Sequence, residues 1–276
     1  MGRAAAVTAR GRRRRRWTLA GSGLLLAASA AVLVVQPLWA FGLLARATPG
    51  IVWRASTSEH AVALTFDDGP APAHTPRVLE ILARHRARAT FFLIGQHAAA
   101  HPALVERIRA EGHEIGNHAF SIHSVMRHDR AAFLANLART DAALGLRGPV
   151  KLFRPPGGKI RPWQLRLARE QGYEVVLGSA YPYDPAHPPP AYIRWLVAKN
   201  LAPGVIVILH DGIPDPAQTI AALDGILAEG RQRGFRFVTV GELLGGKKPQ
   251  PSSSSSRWMP PVTSAAPSPT YMSISL

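Results

Sequence analysis

The sequence predicts an α/β domain built on a parallel sheet, and three observations carry that expectation. Short, continuously apolar runs alternate with longer segments of helical period between residues 51 and 244. Several of these runs stop at turns rich in Gly, Pro or Asp. At 276 residues, 47% hydrophobic and 18% charged, the chain also has enough material for a sizeable core. Strands apolar on both faces belong in a sheet covered by helices.

Taken in order, Ala61–Phe66 reads as a buried strand ended by Asp67-Asp68-Gly69-Pro70. Thr75-Pro76 has the form of an N-cap followed by Pro at the first helical position, opening a helix with Val78, Leu79, Ile81 and Leu82 inward. A strand over 90–95 precedes a helix over 103–111 that Gly112 caps. Residues 113–117 form a short strand, and 131–144 a helix with Phe133, Leu134 and Leu137 at helical spacing. Leu152-Phe153-Arg154 is strand-like and stops at Pro155-Pro156-Gly157-Gly158. A helix over 163–171, a strand over 173–178 and a helix over 191–200 come next. Residues 205–209 are the clearest buried strand, ended by His210-Asp211-Gly212. A helix over 216–231, a strand over 235–240 and a short helix near Leu243-Leu244 complete the region. About seven strand–helix units are short for a regular eight-unit barrel of about 250 residues. A reduced or distorted barrel and an open doubly wound sheet both fit.

The two ends differ from this middle. The net charge of +16 is concentrated there: eight arginines and no acids precede residue 50, and Lys247, Lys248 and Arg257 lie beyond residue 244. The middle carries only +5, which argues against a nucleic-acid-binding domain. Arg12 to Arg16 form a basic cytoplasmic segment over 1–16, and the uncharged stretch over 17–45 reads as a transmembrane anchor or a long signal. The positive-inside rule then places the rest outside the cytoplasm, either anchored by one pass or, after cleavage near Ala45-Arg46-Ala47, secreted. Residues 46–55 read as a linker, 56–244 as the folded domain and 245–276, with its Ser run and Pro, as a disordered tail. The absence of Cys removes disulfides, iron–sulfur clusters, thiol nucleophiles and Cys-ligated zinc, so any metal site uses His, Asp or Glu.

The polar residues that interrupt this pattern fall just past strand ends: Asp67-Asp68, His118, Arg154, Asp184 and His210. In both candidate folds that rim is where ligands bind. Asp-Gly-Pro is ordinary turn chemistry, yet two adjacent carboxylates at a buried strand end repel unless a cation or a shared proton offsets them. His118, His123 and His128 lie within eleven residues of one another. An Asp with two His would leave open positions on a metal, zinc being the natural choice and cobalt, nickel or iron also compatible. His210 suits a general acid, and Arg154 suits orientation of a carboxylate. Their ordinary alternatives are a strand-end His bonded to backbone and a surface ion pair.

Four segments then appear in order: Thr65-Phe66-Asp67-Asp68-Gly69-Pro70, Gly112 to His118, Phe153-Arg154-Pro155-Pro156-Gly157, and Ile208-Leu209-His210-Asp211-Gly212. Together they resemble the motifs of the polysaccharide deacetylases, the NodB-homology domain of carbohydrate esterase family 4, over about residues 56–244. The resemblance implies a distorted (β/α) barrel and metal-dependent removal of acetyl groups from N-acetylated sugars. It assigns Asp67 as catalytic base, Asp68 and His118 as metal ligands, Arg154 as the group positioning the base and His210 as general acid. It places Phe120, Pro155, Leu209 and Asp184 on the substrate side, with Leu209 lining the acetyl pocket and a backbone N–H near Phe120 facing the oxyanion. The family's second metal histidine falls four residues after the first, where this chain has Ile122; His123, one residue later, is the expected third ligand and His128 a substitute. The segment Tyr181-Pro182-Tyr183-Asp184-Pro185 also departs from the family, leaving Asp184 or Tyr181 to tune His210.

The expected partners are therefore an N-acetylated glycan, peptidoglycan ahead of chitin-like oligomers, and the membrane through the amino-terminal stretch. A glycan-binding module without activity and a metal hydrolase acting on another bond are the competing expectations.

Overall fold

The computed structural model describes residues 34–245, so the basic segment, most of the apolar stretch and the tail lie outside the described residues. Helix α1 (Leu38–Ala47) and the short strand β1 (Ile51–Val52) come first. They lead to β2 (Ala61–Asp67), α2 (Thr75–Arg84), β3 (Ala89–Leu93), α3 (Gly95–Ala100), α4 (Pro102–Ala110) and β4 (Glu114–Asn117). Next come α5 (Arg130–Leu144), β5 (Lys151–Phe153), α6 (Pro162–Glu170), β6 (Tyr173–Val176) and α7 (Pro190–Asn200). Strand β7 (Ile206–His210), α8 (Ala217–Gln232), β8 (Arg236–Val238) and α9 (Val240–Leu243) end the domain.

All eight strands are parallel, in the order β1-β6-β5-β4-β3-β2-β7. Strand β8 pairs with Ala61–Ala63 of β2, whose last four residues pair with β3. The sheet curls until the chain after β6 meets β7. Ser179 N–H donates to Ile206 C=O (2.9 Å), and Ile208 N–H donates to Ala180 C=O (2.9 Å). This bridge joins the segment past β6 to the first half of β7, which resolves the sequence ambiguity in favour of a distorted barrel. Gly178 permits the approach, because a Cβ there would lie 2.7 Å from Ile208 Cγ1 and 2.8 Å from Ile206 C=O.

Alternation along β2 explains how an all-buried strand serves two packings. Val62, Leu64 and Phe66 face outward into a cluster with Val78, Leu79 and Leu82 of α2. Ala61 and Ala63 point inward, packing with Phe92, Leu152, Val176, Ile206 and Val238. Small inward residues fit the narrow lumen, and the bulky ones bury apolar area under the helices. Asp67 has the inward parity.

Three expectations change. Residues 46–55, read as a linker, hold the end of α1 and the strand β1, which pairs with β6. Residues from Leu38, read as the end of the anchor or signal, form α1 after Gln36-Pro37; residues 17–33 of that stretch lie outside the described residues, among which no helix is long and apolar enough to cross a membrane. Thr75 is the first helical residue rather than the cap, and its hydroxyl instead donates to Asp211 Oδ2 (2.5 Å). Gly178→Ala should cost about 1–3 kcal/mol, read as a lower urea midpoint by circular dichroism; an unchanged midpoint would show that the closing bridge tolerates a wider gap.

Candidate active site

Parallel strands bring their carboxyl ends to one rim, and the polar residues sit there in consequence. The register sets Asp67 of β2 opposite His210 of β7, and Asn117 of β4 opposite Phe153 of β5. His118 and Arg154 are the next residues after that second pair. The turns carrying the chemistry hold non-glycine residues in the left-handed region: Asp68 (φ 71°), Ala119 (φ 64°) and Tyr183 (φ 55°). Each such conformation costs about 1–2 kcal/mol, and it swings the adjoining side chains off the regular strand direction.

Arg154 is almost completely buried, 2% exposed. Its Nη1 donates to Asp67 Oδ1 and to Thr65 Oγ1 (both 2.6 Å), its Nε to Val176 C=O (3.2 Å) and its Nη2 to Leu177 C=O (2.9 Å). The guanidinium lies over the Phe92 ring, 4.1 Å from its centroid. Asp67 is thereby held as an oriented acceptor with its second oxygen left for chemistry.

Asp184 performs the matching task for His210. Its Oδ1 lies 3.0 Å from His210 Nδ1, and its Oδ2 accepts the His210 N–H and the Thr219 hydroxyl, both at 2.8 Å. An ionised carboxylate only accepts, so Nδ1 carries the proton and Nε2 is left for the cleft. Burial alone lowers His210, but the bond to Asp184 and the charges of Asp184, Asp67 and Asp68 outweigh it and push the imidazole up to about 9. The ring is therefore an acid at neutral pH. The sequence offered Asp184 both as a substrate-side residue and, beside Tyr181, as a group to tune His210; the structure buries it against His210, in the tuning position.

His118 Nδ1 donates to Arg154 C=O (2.7 Å), because a carbonyl has no proton to give. Its Nε2 then faces Asp68 Oδ1 at 3.3 Å and Asp67 Oδ2 at 3.9 Å. In a neutral ring these are acceptors facing acceptors, so a positive charge belongs between them, as a ring proton or a cation. Burial raises Asp68, but the bond from His118 and the charges of His118, His210 and His97 outweigh it, holding the carboxyl below its usual range.

A metal centre, however, is incomplete. His123 is exposed, with Nδ1 3.4 Å from Ser121 Oγ, and neither His123 nor His128 reaches the cavity. Among the described residues no group of three His, Cys, Asp or Glu side chains is placed to hold an ion. Ile122, 54% exposed, lines the cavity with Asp68 and His118 instead. The extra residue does not bulge the histidine inward. The donors present do not fit the expected three-ligand site, zinc or otherwise.

The cavity above these groups has a volume of about 600 Å³ and largely apolar walls, including Phe41, Trp53, Ile122, Leu177, Tyr181 and Ile208. Leu209, expected to line it, is in the core with Phe66, because strand alternation points Ile208 and His210 inward. The Phe120 N–H is taken by Asn136 Oδ1 (3.1 Å) and its ring by Arg139, so it offers no oxyanion donor. Pro155 is buried, and Pro156, Gly157 and Gly158 form the wall.

Asp211 drew no role from the sequence, although it stands in the fourth motif beside His210. It is fully buried, and burial first, then the charges of Asp68 and Asp67, push it up to about 7 against the Thr75 bond and His210. Its N–H and that of Gly212 both reach Asp67 C=O at 3.3 Å. Gly212 is obligatory there, since a Cβ would lie 2.0 Å from the Asp68 carbonyl carbon. Gln36 gave no sequence signal beyond interrupting an apolar run.

A carboxylate base and a protonated imidazole, each fixed by a buried partner and facing one cleft at a barrel mouth, define an acid–base hydrolase. The family model described as polysaccharide deacetylase matches residues 54–176. A peptidoglycan-N-acetylglucosamine deacetylase of Bacillus cereus is 44% identical over 199 residues, 70% of this chain and 92% of that protein. A chitooligosaccharide deacetylase of Sinorhizobium fredii is 34% identical, covering 66% of this chain and 91% of that one. The crystal structure of a peptidoglycan N-acetylglucosamine deacetylase bound to a naphthalenyl N-oxidanyl-benzamide superposes with TM-score 0.69 at 33% identity, over 72% and 94% of the two chains. The chain belongs to the polysaccharide deacetylase family, hydrolases that act on amide bonds.

Two measurements check this geometry. A raised His210 keeps its proton below about 9, so turnover should fall as pH rises through about 9. Asp184→Asn removes the carboxylate that favours the charged ring and should move that limb to lower pH; an unmoved limb would assign it to another group. Zinc titrated calorimetrically into chelator-treated protein should bind Ile122→His at least about tenfold more tightly than wild type, about 1.4 kcal/mol. Equal affinities would mean that residue 122 does not stand at a ligand position.

Proposed function

We propose that this chain removes acetyl groups from N-acetylated amino sugars of a glycan outside the cytoplasm, peptidoglycan ahead of chitin-like oligomers. The observation that carries the reading is the placement of Asp67 and His210 in register on neighbouring strands, each held by a buried partner of opposite charge. The names of the relatives support the substrate class. The uncharged stretch from Trp17, led by Arg12 to Arg16, supports tethering to a membrane.

Each step rests on what one residue can do. Asp67, with one oxygen fixed by Arg154, accepts a proton from the water whose oxygen attacks the acetyl carbonyl carbon. Collapse of the tetrahedral intermediate breaks the carbon–nitrogen bond. His210 gives its proton to the nitrogen, which leaves as the sugar amine rather than as a strongly basic amide anion. The product departs as acetic acid, which ionises to acetate in solvent, and the proton on Asp67 returns through solvent to His210, restoring both groups. Asp184 stabilises the charged form of His210 before transfer and fixes which nitrogen delivers the proton. No step is routed through a metal, because Asp68 and His118 alone do not make the expected centre.

That same incompleteness favours the second reading, a module that holds glycan without turning it over. Acetate released from N-acetylglucosamine oligomers and from peptidoglycan separates the two. Wild type should release acetate, and Asp67→Asn should lower the rate by about 10²–10⁴-fold, the usual contribution of a positioned base. Glycan binding without acetate from either chain would establish the binding module.

A further inference from the structure

The cleft has a wall that lies before the family-matched residues. Gln36 is 5% exposed, although it belongs to an otherwise apolar stretch. Its side-chain Nε2 donates to Tyr181 C=O, and its Oε1 accepts the Tyr181 N–H at 2.8 Å. The amide thus pairs with the backbone just past the bridge that closes the barrel, as a neighbouring strand would. Burying an amide is costly unless both ends are bonded, and here both are. Lys199 Nζ holds the same segment through Val35 C=O (2.6 Å).

Helix α1, which begins two residues after Gln36, has no fully buried residue and meets the core only through the partly buried Leu38. Instead Ala40, Phe41 and Leu44 border the cavity that contains Asp67, Asp68 and His210. The Phe41 ring lies 5.9 Å from that of Trp53, which borders the same cavity and donates its indole N–H to Thr48 Oγ1 (2.9 Å). Tyr181, the residue Gln36 holds, has its ring 5.9 Å from His210 and 4.7 Å from Tyr183. The result is an aromatic flank beside the acid, with one edge clamped by a buried amide.

We propose that Gln36, Phe41, Leu44 and Trp53 build a substrate-binding wall of this enzyme: Phe41 and Trp53 form a platform for the apolar C–H face of a sugar ring, and Gln36 is the positioning residue that holds Tyr181 beside His210. The inference rests on the deacetylase reading for the bond broken and adds a saccharide subsite built from residues that precede the family model's match. Pyranose rings present one face of C–H groups, which aromatic walls bury while the hydroxyls stay in water.

The test uses the full chain in detergent with the N-acetylglucosamine tetramer as probe. Acetate release gives kcat and KM, and calorimetry in the Asp67→Asn background gives binding without turnover. Phe41→Ala should raise KM and the dissociation constant about tenfold with kcat little changed. Gln36→Ala should lower kcat with KM little changed as Tyr181 loosens; a kcat equal to wild type would refute the positioning role. Leu43→Ala, on the same helix but outside the cavity lining and 55% exposed, should match wild type. If wild type releases acetate and Phe41→Ala binds and turns over the tetramer as wild type does, the subsite is refuted while the deacetylase reading stands. If wild type neither binds the tetramer nor releases acetate, both fall together.

Discussion

The buried guanidinium of Arg154 is the interaction on which the rest of the site depends. Stripped of water, it must spend its donors on protein acceptors, and those acceptors come from β2 and from the end of β6. Its own backbone continues the network: its N–H donates to Asn117 C=O, and its C=O fixes the proton of His118 on Nδ1. One residue thereby sets the orientation of the base and the tautomer of the histidine across the cleft. Buried ion pairs contribute little net stability against an apolar replacement, whereas removing one partner costs about 3–5 kcal/mol. Arg154 is therefore better understood as a constraint on geometry than as a source of stability.

Around that constraint the electrostatics divide into two halves. Asp67 is held by a permanent cation. His210 is held by Asp184 and surrounded by carboxylates that favour its charged form. Opposed environments on neighbouring strands separate an acid from a base, which amide hydrolysis requires at neutral pH. The third element, the facing acceptors of Asp68 and His118, calls for a positive charge but offers only two donors to hold one. The apolar Ile122 makes this cleft less polar than the family resemblance implies.

The strands and helices were largely legible because burial is written in composition: continuous apolar runs marked the strands, and helical spacing marked the layer outside them. The rim residues were legible because they interrupt those runs. Errors arose where a side chain's direction or a loop's path decided the matter. Leu209 and Ile208 are equally apolar, and only the inward parity shared with His210 assigns Ile208 to the cleft. The Phe120 N–H looked available until α5 brought Asn136 against it. The spacing of His123 left its direction open, and the loop turns it to solvent.

The family resemblance singled out Asp67 as the expected base; the sequence pattern by itself determined the parallel α/β architecture and the rim on which Asp67, Arg154 and His210 gather. These depend on local pattern and on the order of polar residues after apolar strands. Only the tertiary structure decided between Asp184 and Tyr181 as the partner of His210, that Asp211 is buried against Thr75, and that a stretch resembling membrane anchor ends as the wall of the cleft. Those outcomes depend on contacts between residues as distant in sequence as Gln36 and Tyr181, and no local periodicity records which distant backbone will accept a buried amide.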